Sequence, residues 1–225
     1  MTSEKHVLVI FPHPDDETFS SAGTLARFVD QGIPVTYACL TLGQMGRHLG
    51  NPPFATRESL PTIRERELEQ AMKEIGVTDL RKMGLRDKTV EFEPYDEMDA
   101  MVQSLIDETQ PTTIISFYPG YAVHPDHEAT ADAVVRTVGR MPEGERPKLW
   151  LVAFSNDAFD ALGEPDVVND VSAYKDHKLR AFKAHASQTG PFLEQLANPD
   201  RDVSGAPNDA ETYLSKEFYW TYRFE

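Results

Sequence analysis

The sequence predicts an α/β protein in which helices cover both faces of a parallel β-sheet. Short, continuously apolar runs alternate along the chain with longer runs whose apolar residues recur at helical spacing. Glycine and proline occur between these runs, as is typical of turns that join strands and helices. The length of 225 residues fits a single domain. We place its core at about residues 1–156 and a C-terminal extension at about residues 157–225.

The first predicted β-α-β unit sets the pattern for the rest. Residues 7–11 (VLVIF) form an apolar run typical of a strand that is buried on both faces. A helix is predicted over residues 16–31, because apolar residues recur at i, i+3, i+4 and i+7 from Ala22 and Gly32 follows. Residues 34–42 are rich in β-branched and aromatic residues and predict the second strand.

The later elements repeat this alternation, with a proline or glycine near the ends of several helices. The remaining predicted strands are residues 79–85, 112–118, 149–154 and 218–224. The remaining predicted helices are residues 62–75, 94–108, 124–140 and 174–185. Residues 43–61 and 199–208 are predicted loops. The first of these is long and rich in glycine and proline, which favours a functional role.

Composition excludes several classes of function. The formal net charge is -15, which disfavours binding to nucleic acid or to anionic membranes. The single cysteine, Cys39, lies inside a predicted strand and indicates a core residue in a reducing compartment. The sequence has no apolar run of transmembrane length and no signal-peptide pattern at its start. We therefore expect a cytoplasmic protein.

One segment departs from the acidic character of the chain. Residues 43–57 contain no acid but include Arg47, His48 and Arg57. Such a segment either contacts an anionic ligand or is a chance cluster of solvated residues.

Polar residues follow all five predicted strands of the parallel sheet. They are His13, Arg47, Arg86, His124 and Asn156, in strand order. The carboxyl ends of parallel strands lie at one edge of a sheet, where ligands bind in such folds. The sequence therefore predicts one site at this edge.

The first motif is His13-Pro14-Asp15-Asp16-Glu17, after the first strand. Residues at i and i+3 across such a turn can converge, so His13 and Asp16 can share a metal ion. Asp15 would then lie beside a metal-activated water and could take its proton. Taken alone, the motif could also be a turn with an Asx helix cap.

The second motif is His124-Pro125-Asp126-His127, at the start of a helix. His127 can supply a third ligand, and His124, if protonated, can stabilise an oxyanion at the rim. Two histidines, one carboxylate and an open position are a known hydrolytic zinc arrangement. Alone, this motif could be a capped helix with two surface histidines. A non-catalytic metal- or sugar-binding module is the alternative of a different class.

The two motifs together resemble those of the LmbE-like (PIG-L) N-acetylglucosaminyl deacetylases. The similarity extends over most of the chain and includes Arg64 and residues 67–76, 85–88 and 178–188. Residues 41–47 (TLGQMGR) and 118–123 (YPGYAV) are similar to the bacillithiol branch of that family.

The resemblance implies a Rossmann-like fold and a cytoplasmic, metal-dependent hydrolase. Its expected reaction removes acetate from N-acetylglucosaminyl-malate, in bacillithiol synthesis. Cleavage of bacillithiol S-conjugates is the alternative, because the same sugar amide is broken. Relatives are zinc enzymes in most descriptions, although Fe²⁺ can occupy such sites, and they often form trimers or hexamers. The resemblance implies that the metal ligands are His13, Asp16 and His127 and that the general base is Asp15. It implies His124 as the oxyanion stabiliser or as the acid.

The resemblance also suggests how the substrate is held. Malate carries two carboxylates, which arginine binds well, so we expect contacts from Arg47 and Arg57 and a further one from Arg86. Arg86 could instead form a salt bridge with Asp87 or with another surface acid. A tyrosine assists in relatives, and the sequence leaves Tyr118 and Tyr121 as equal candidates. Arg64 is expected to be a solvated helix residue, although it lies beside the loop. His185 is expected to be a core or capping residue.

Overall fold

The computed structural model describes residues 4–197 and 210–224, and its strands form a seven-stranded sheet. The strands are β1 (Val7–Phe11), β2 (Val35–Thr41), β3 (Asp79–Leu85), β4 (Thr113–Phe117), β5 (Lys148–Val152), β6 (Val167–Asp170) and β7 (Lys216–Thr221). The helices are α1 (Asp16–Ser20), α2 (Ala22–Asp30), α3 (Leu60–Ile75), α4 (Tyr95–Thr109), α5 (Pro125–Gly139), α6 (Ala158–Leu162), α7 (Lys175–Ala184), α8 (Ala186–Ala197) and α9 (Ala210–Ser215).

The strand order is β3-β2-β1-β4-β5-β7-β6, and the first five of these strands are parallel. The chain order reverses between β1 and β4, which makes this pair the switch point of the sheet. Ligands of open α/β sheets bind beyond the carboxyl ends of the strands at such a point. The two histidine motifs follow β1 and β4, so both lie at the switch point.

Alternate residues of the central strand enter two different cores. Val7, Val9 and Phe11 pack with α2 and α3 on one face, whereas Leu8 and Ile10 pack with α4 and α5 on the other. All five of these side chains are fully buried. Two buried faces explain why β1 is continuously apolar rather than alternating.

The single helix predicted over residues 16–31 is wrong, because it is two helices that meet at Ser21. The α2 helix begins anew, and the N–H groups of Gly23 and Thr24 donate to the buried carboxylate of Glu217 at 2.9 and 2.7 Å. Glu217 lies on β7, far away in sequence. The spacing of apolar residues within residues 16–31 carries no information about Glu217, whose carboxylate binds the free N–H groups at the start of the second helix.

The sheet is also not parallel throughout. The strand predicted over residues 218–224 is β7, which runs antiparallel to β5 and β6. The elements β6, α6, α8 and α9 were not predicted, and the loop predicted over residues 199–208 lies outside the described residues. Among the described helices, none has the length and apolar character needed to cross a lipid bilayer.

Candidate metal centre

The three predicted metal ligands lie together at the switch point. The Nδ1 atom of His13 is 3.1 Å from Nε2 of His127. The carboxylate of Asp16 lies 3.6 Å from the first nitrogen and 3.3 Å from the second. Ligands about 2.1 Å from one tetrahedral zinc ion are separated by roughly 3.4 Å. The spacing of these three groups therefore suits one such ion.

Hydrogen bonds on the far sides of the two rings fix their tautomers. His13 Nε2 lies 3.1 Å from Asp126 and 3.2 Å from Asp87, and His127 Nδ1 lies 3.0 Å from the carbonyl oxygen of Ala122. Carboxylate and carbonyl oxygens only accept, so these ring nitrogens carry the protons. The facing atoms, His13 Nδ1 and His127 Nε2, then present lone pairs to each other.

Two lone pairs 3.1 Å apart repel unless a cation or a proton lies between them. Burial alone would lower the pKa of His13, but hydrogen bonds to Asp126, Asp16 and Asp87 raise that pKa well above its usual value. The neighbouring carboxylates thus favour positive charge at this point. Neutral imidazole with a carboxylate suits a divalent transition metal, so the residues fit the implied ion.

Asp15 lies next to this cluster in an unusual backbone conformation. Its φ angle is 103°, which is uncommon for a residue other than glycine and is tolerated best by aspartate and asparagine. Its carboxylate lies 3.1 Å from the guanidinium of Arg64. Burial raises the pKa of Asp15 to about 6, against the opposing charge of Arg64. A carboxylate with this pKa is suited to general-base chemistry near neutral pH.

His124 is the N-cap residue of α5, and its Nδ1 accepts the N–H of Asp126 at 3.2 Å. The proton of the neutral ring is therefore on Nε2. Burial, together with the nearby His13 and His127, lowers the pKa of His124. One ligand nitrogen of His124 lies within 4.8 Å of those of the other two histidines. The ring can thus donate a hydrogen bond while neutral, whereas the protonated form, which the sequence analysis gave as a condition for this role, is disfavoured.

Arg64 is buried and is not the solvated residue expected from sequence. Its guanidinium donates to the carbonyl oxygens of Pro14 and Gly43 and pairs with Asp15. Gly43 has a φ of 59°, and a Cβ atom there would collide with the guanidinium. Arg64 and Glu67 lie on the buried stripe of α3 that begins at Leu60. The sequence did contain a signal that Arg64 is buried, because its charge falls on the apolar stripe of a helix.

The three arginines that were predicted to bind substrate lie on the surface. Arg47 and Arg86 are exposed, as is Arg57, whose guanidinium donates to the carbonyl oxygen of Gly46 at 2.6 Å. Among the described residues, Arg86 forms no ion pair with Asp87, whose carboxylate contacts His13 and the N–H of Met45 instead. Asp87 was not singled out from sequence as part of the site.

The two candidate tyrosines lie side by side near the second motif. The rings of Tyr118 and Tyr121 are 5.8 Å apart, edge to face, and Tyr118 also packs 5.8 Å from Tyr222. Burial raises the pKa of Tyr118. Both rings remain candidates for a role in the reaction.

The last residue of the first motif, Glu17, is held by a buried histidine from another part of the fold. Glu17 and His185 are both fully buried, and His185 Nε2 lies 2.7 Å from the Glu17 carboxylate. The expectation that His185 is a core residue is thus confirmed. Cys39 is also buried, as expected, and its thiol donates to the carbonyl oxygen of Thr41.

The Asp126→Asn variant tests how the centre is held. The Asp126 carboxylate is fully buried and accepts the N–H groups of Lys88 at 2.7 Å and Val90 at 3.2 Å besides that of His13. An amide in its place would turn an N–H toward one of these donors. We expect the affinity for Zn²⁺ to fall about 10- to 100-fold in a chelator competition assay.

The matched control for this variant is Asp99→Asn. It removes the same charge from an acid that pairs with Arg136 and Arg140 on the helical layer. Its Zn²⁺ affinity should match that of the unmodified protein. Equal affinities for the two variants would show that Asp126 does not support His13.

The chain is similar to one known protein family and to named proteins over their whole length. The profile of the PIG-L family, described as GlcNAc-PI de-N-acetylase, matches residues 8–138. A Bacillus anthracis protein is 47% identical over 225 residues, covering 100% of this chain and 98% of its own length. A Bacillus cereus protein is 50% identical over 224 residues, covering 99% and 100%. Both are named "Probable N-acetyl-alpha-D-glucosaminyl L-malate deacetylase 2".

Solved structures share the fold at lower identity. The N,N'-diacetylchitobiose deacetylase of Pyrococcus horikoshii superposes with a TM-score of 0.70 at 23% identity, over 98% of this chain and 84% of that one. The 4-carboxy-2-hydroxymuconate hydratase GalB of Pseudomonas putida KT2440 superposes with a TM-score of 0.72 at 17% identity, over 98% and 97%. Since these two proteins are named for different reactions, similarity at this level defines the fold alone.

Proposed function

This chain belongs to the PIG-L family of de-N-acetylases, and we propose that it removes acetate from N-acetyl-α-D-glucosaminyl L-malate, a step of bacillithiol synthesis. The observation that carries the proposal is the convergence of His13, Asp16 and His127 beside Asp15, in a chain about half identical to its named relatives over their whole length. We propose Zn²⁺ as the ion, with Fe²⁺ as the alternative that metal analysis would distinguish.

His13, Asp16 and His127 would hold the ion, with Asp126, Asp87 and the Ala122 carbonyl oxygen orienting the two rings. When bound, the ion would polarise the acetyl carbonyl group and make a water molecule more acidic. Such help is needed because an amide is a poor electrophile and neutral water is a weak nucleophile.

The side chains around the ion carry the proton transfers. Asp15 takes a proton from the attacking water as the new C–O bond forms, and Nε2–H of His124 donates to the carbonyl oxygen as negative charge grows there. When the C–N bond breaks, Asp15 returns its proton to the leaving amine nitrogen. The second proton of the water passes from the new carboxyl group to the amine, so the products are acetate and the protonated amino sugar, and atoms and charge balance.

The test is acetate release from N-acetylglucosaminyl-malate by protein stripped of metal and then reloaded with Zn²⁺ or Fe²⁺. We expect turnover to be lost on stripping and recovered on reloading. Other N-acetyl amino sugars and a bacillithiol S-conjugate should be assayed with the same sample. If every one of these substrates stayed intact with the metal restored, the proposed activity would be wrong.

We also propose that Arg47 binds a malate carboxylate, because it is exposed in the acid-free segment beyond β2. Arg47→Ala should raise KM about tenfold or more and leave kcat nearly unchanged, since a charged hydrogen bond contributes roughly 1.5–3 kcal/mol. The measurement is a steady-state titration of substrate at low and high salt.

Arg180→Ala provides the control, because Arg180 is an arginine of α7 that pairs with Glu74 away from the metal centre. Its KM should equal that of the unmodified protein. An unchanged KM for the Arg47 variant would mean that this side chain does not recognise the substrate.

A further inference from the structure

The backbone at Asp15 needs support from its surroundings. A φ of 103° places this residue where side chains other than that of glycine are rarely found. Conformations of this kind persist where neighbouring groups over-determine them, and they are concentrated at functional sites. The contacts that hold this turn therefore decide where the Asp15 carboxylate points.

One such contact comes from Glu17, two residues further along the chain. Its Oε2 atom accepts the backbone N–H of Asp15 at 3.1 Å and the hydroxyl group of Tyr37 at 3.0 Å. Its Oε1 atom accepts the hydroxyl group of Thr18 at 2.8 Å. The Glu17 side chain is fully buried, so protein groups must supply its hydrogen bonds.

The remaining donor to Glu17 is His185. Its Nε2 atom lies 2.7 Å from Oε1, the shortest of the four contacts that this carboxylate makes with donors in the described part of the chain. His185 directly follows α7, and it is fully buried. Without this donor, a buried carboxylate would have to turn toward other donors and could release the N–H of Asp15.

We propose that His185 is a positioning residue for the deacetylation reaction, acting on Asp15 through Glu17. The imidazole holds the Glu17 carboxylate, the carboxylate holds the Asp15 N–H, and this hydrogen bond keeps the general base beside the metal ligands. His185 does not touch the substrate or the metal. The inference rests on the proposed function, because it assigns a partner to the base of that reaction.

The experiment compares His185→Leu with His185→Gln, in each case on the full chain loaded with Zn²⁺. The leucine variant removes the donor, whereas the glutamine amide can place an N–H near the position of Nε2. For the leucine variant we expect kcat to fall about tenfold or more, with KM and bound zinc close to those of the unmodified protein. We expect the glutamine variant to recover most of this loss.

A second readout follows the backbone directly and needs no substrate. Amide hydrogen exchange at Asp15, measured by NMR, should be about tenfold faster or more in the leucine variant, because the bond to Glu17 is weakened. Exchange in the glutamine variant should be close to that of the unmodified protein. A purely structural role for His185 would not accelerate exchange selectively at this amide.

Lys178→Met is the matched control, on the helix α7 that ends just before His185. Lys178 is also buried, and its ammonium group pairs at 3.0 Å with Glu217. The Glu217 carboxylate accepts N–H groups at the start of α2 and, among the described residues, no hydrogen bond from Asp15. The loss of Lys178 should lower the melting temperature but leave kcat and the exchange of Asp15 unchanged. This control thereby separates a general loss of stability from a change in the position of Asp15.

Three results would overturn the proposal. They are an unchanged kcat in His185→Leu, a lower kcat with unchanged Asp15 exchange, and an equal loss in Lys178→Met. If His185→Leu does not fold, Tyr37→Phe serves in its place, because it removes another donor to Glu17 and changes the shape of the side chain little. This variant should also lower kcat and accelerate the exchange of the Asp15 amide. Unchanged values of both would again contradict the proposal. A protein inactive without any substitution would refute the proposed function instead, and the exchange data would still test the link from His185 to Asp15.

Discussion

Asp15→Asn should abolish most of the deacetylase activity while leaving the metal in place. We expect kcat to fall about 10²- to 10⁴-fold, the usual contribution of a general base. The amide cannot accept the proton of the attacking water, whereas His13, Asp16 and His127 are unaltered and still converge. The measurement pairs acetate release with the zinc content of the same sample.

Asparagine is the right replacement because it also tolerates the left-handed backbone of this position, where φ is 103°. Alanine would add backbone strain to the loss of the carboxylate, and a fall in activity would then have two causes. Retention of more than about a tenth of the original kcat in Asp15→Asn, with the zinc bound, would exclude this residue as the base.

His13→Ala is expected to lose both the metal and the activity. The variant removes a ligand and also the group that separates Asp16 from the carboxylates of Asp87 and Asp126. We expect zinc to be absent after dialysis and acetate release to be at background. Metal analysis and the activity assay on the same preparation check this, and added Zn²⁺ should restore little turnover.

His6→Ala is the control for this variant. His6 lies just before β1, and its ring bonds to Thr36 away from the carboxyl edge of the sheet. Its zinc content and kcat should be those of the unmodified protein. A His13 variant that kept zinc at the original affinity would show that the ion binds elsewhere.

Local signals in the sequence sufficed for most of the fold. The bounds of β1 and β3 agree with the predicted ones, and those of α3, α4, α5 and α7 agree within two residues. Apolar runs and helix-stopping residues are properties of neighbouring residues, so they can be read without the tertiary structure. The break at Ser21 and the direction of β7 depend on Glu217 and on pairing between distant strands, which no local pattern encodes.

The same distinction applies to the site. The two histidine motifs could be found because each is contiguous and follows a strand. Their supporting groups could not be paired in advance, because Asp87, Arg64 and His185 reach the motifs from three other parts of the fold. A weaker signal was present, since His185 continues the spacing of the buried residues Lys178, Ala181 and Phe182 on α7. A polar residue in such a stripe needs a buried partner.

The contact between Glu17 and His185 also bears on how the protein is made. The two residues are 168 positions apart in the chain. During synthesis, the first motif leaves the ribosome long before the histidine that completes its support exists. The central strands precede this histidine in the chain and can assemble early. If the support from His185 is required, the enzyme begins to work only near the end of translation. Fragments that stop before α7 should be inactive even where the parallel strands β1 to β5 have paired.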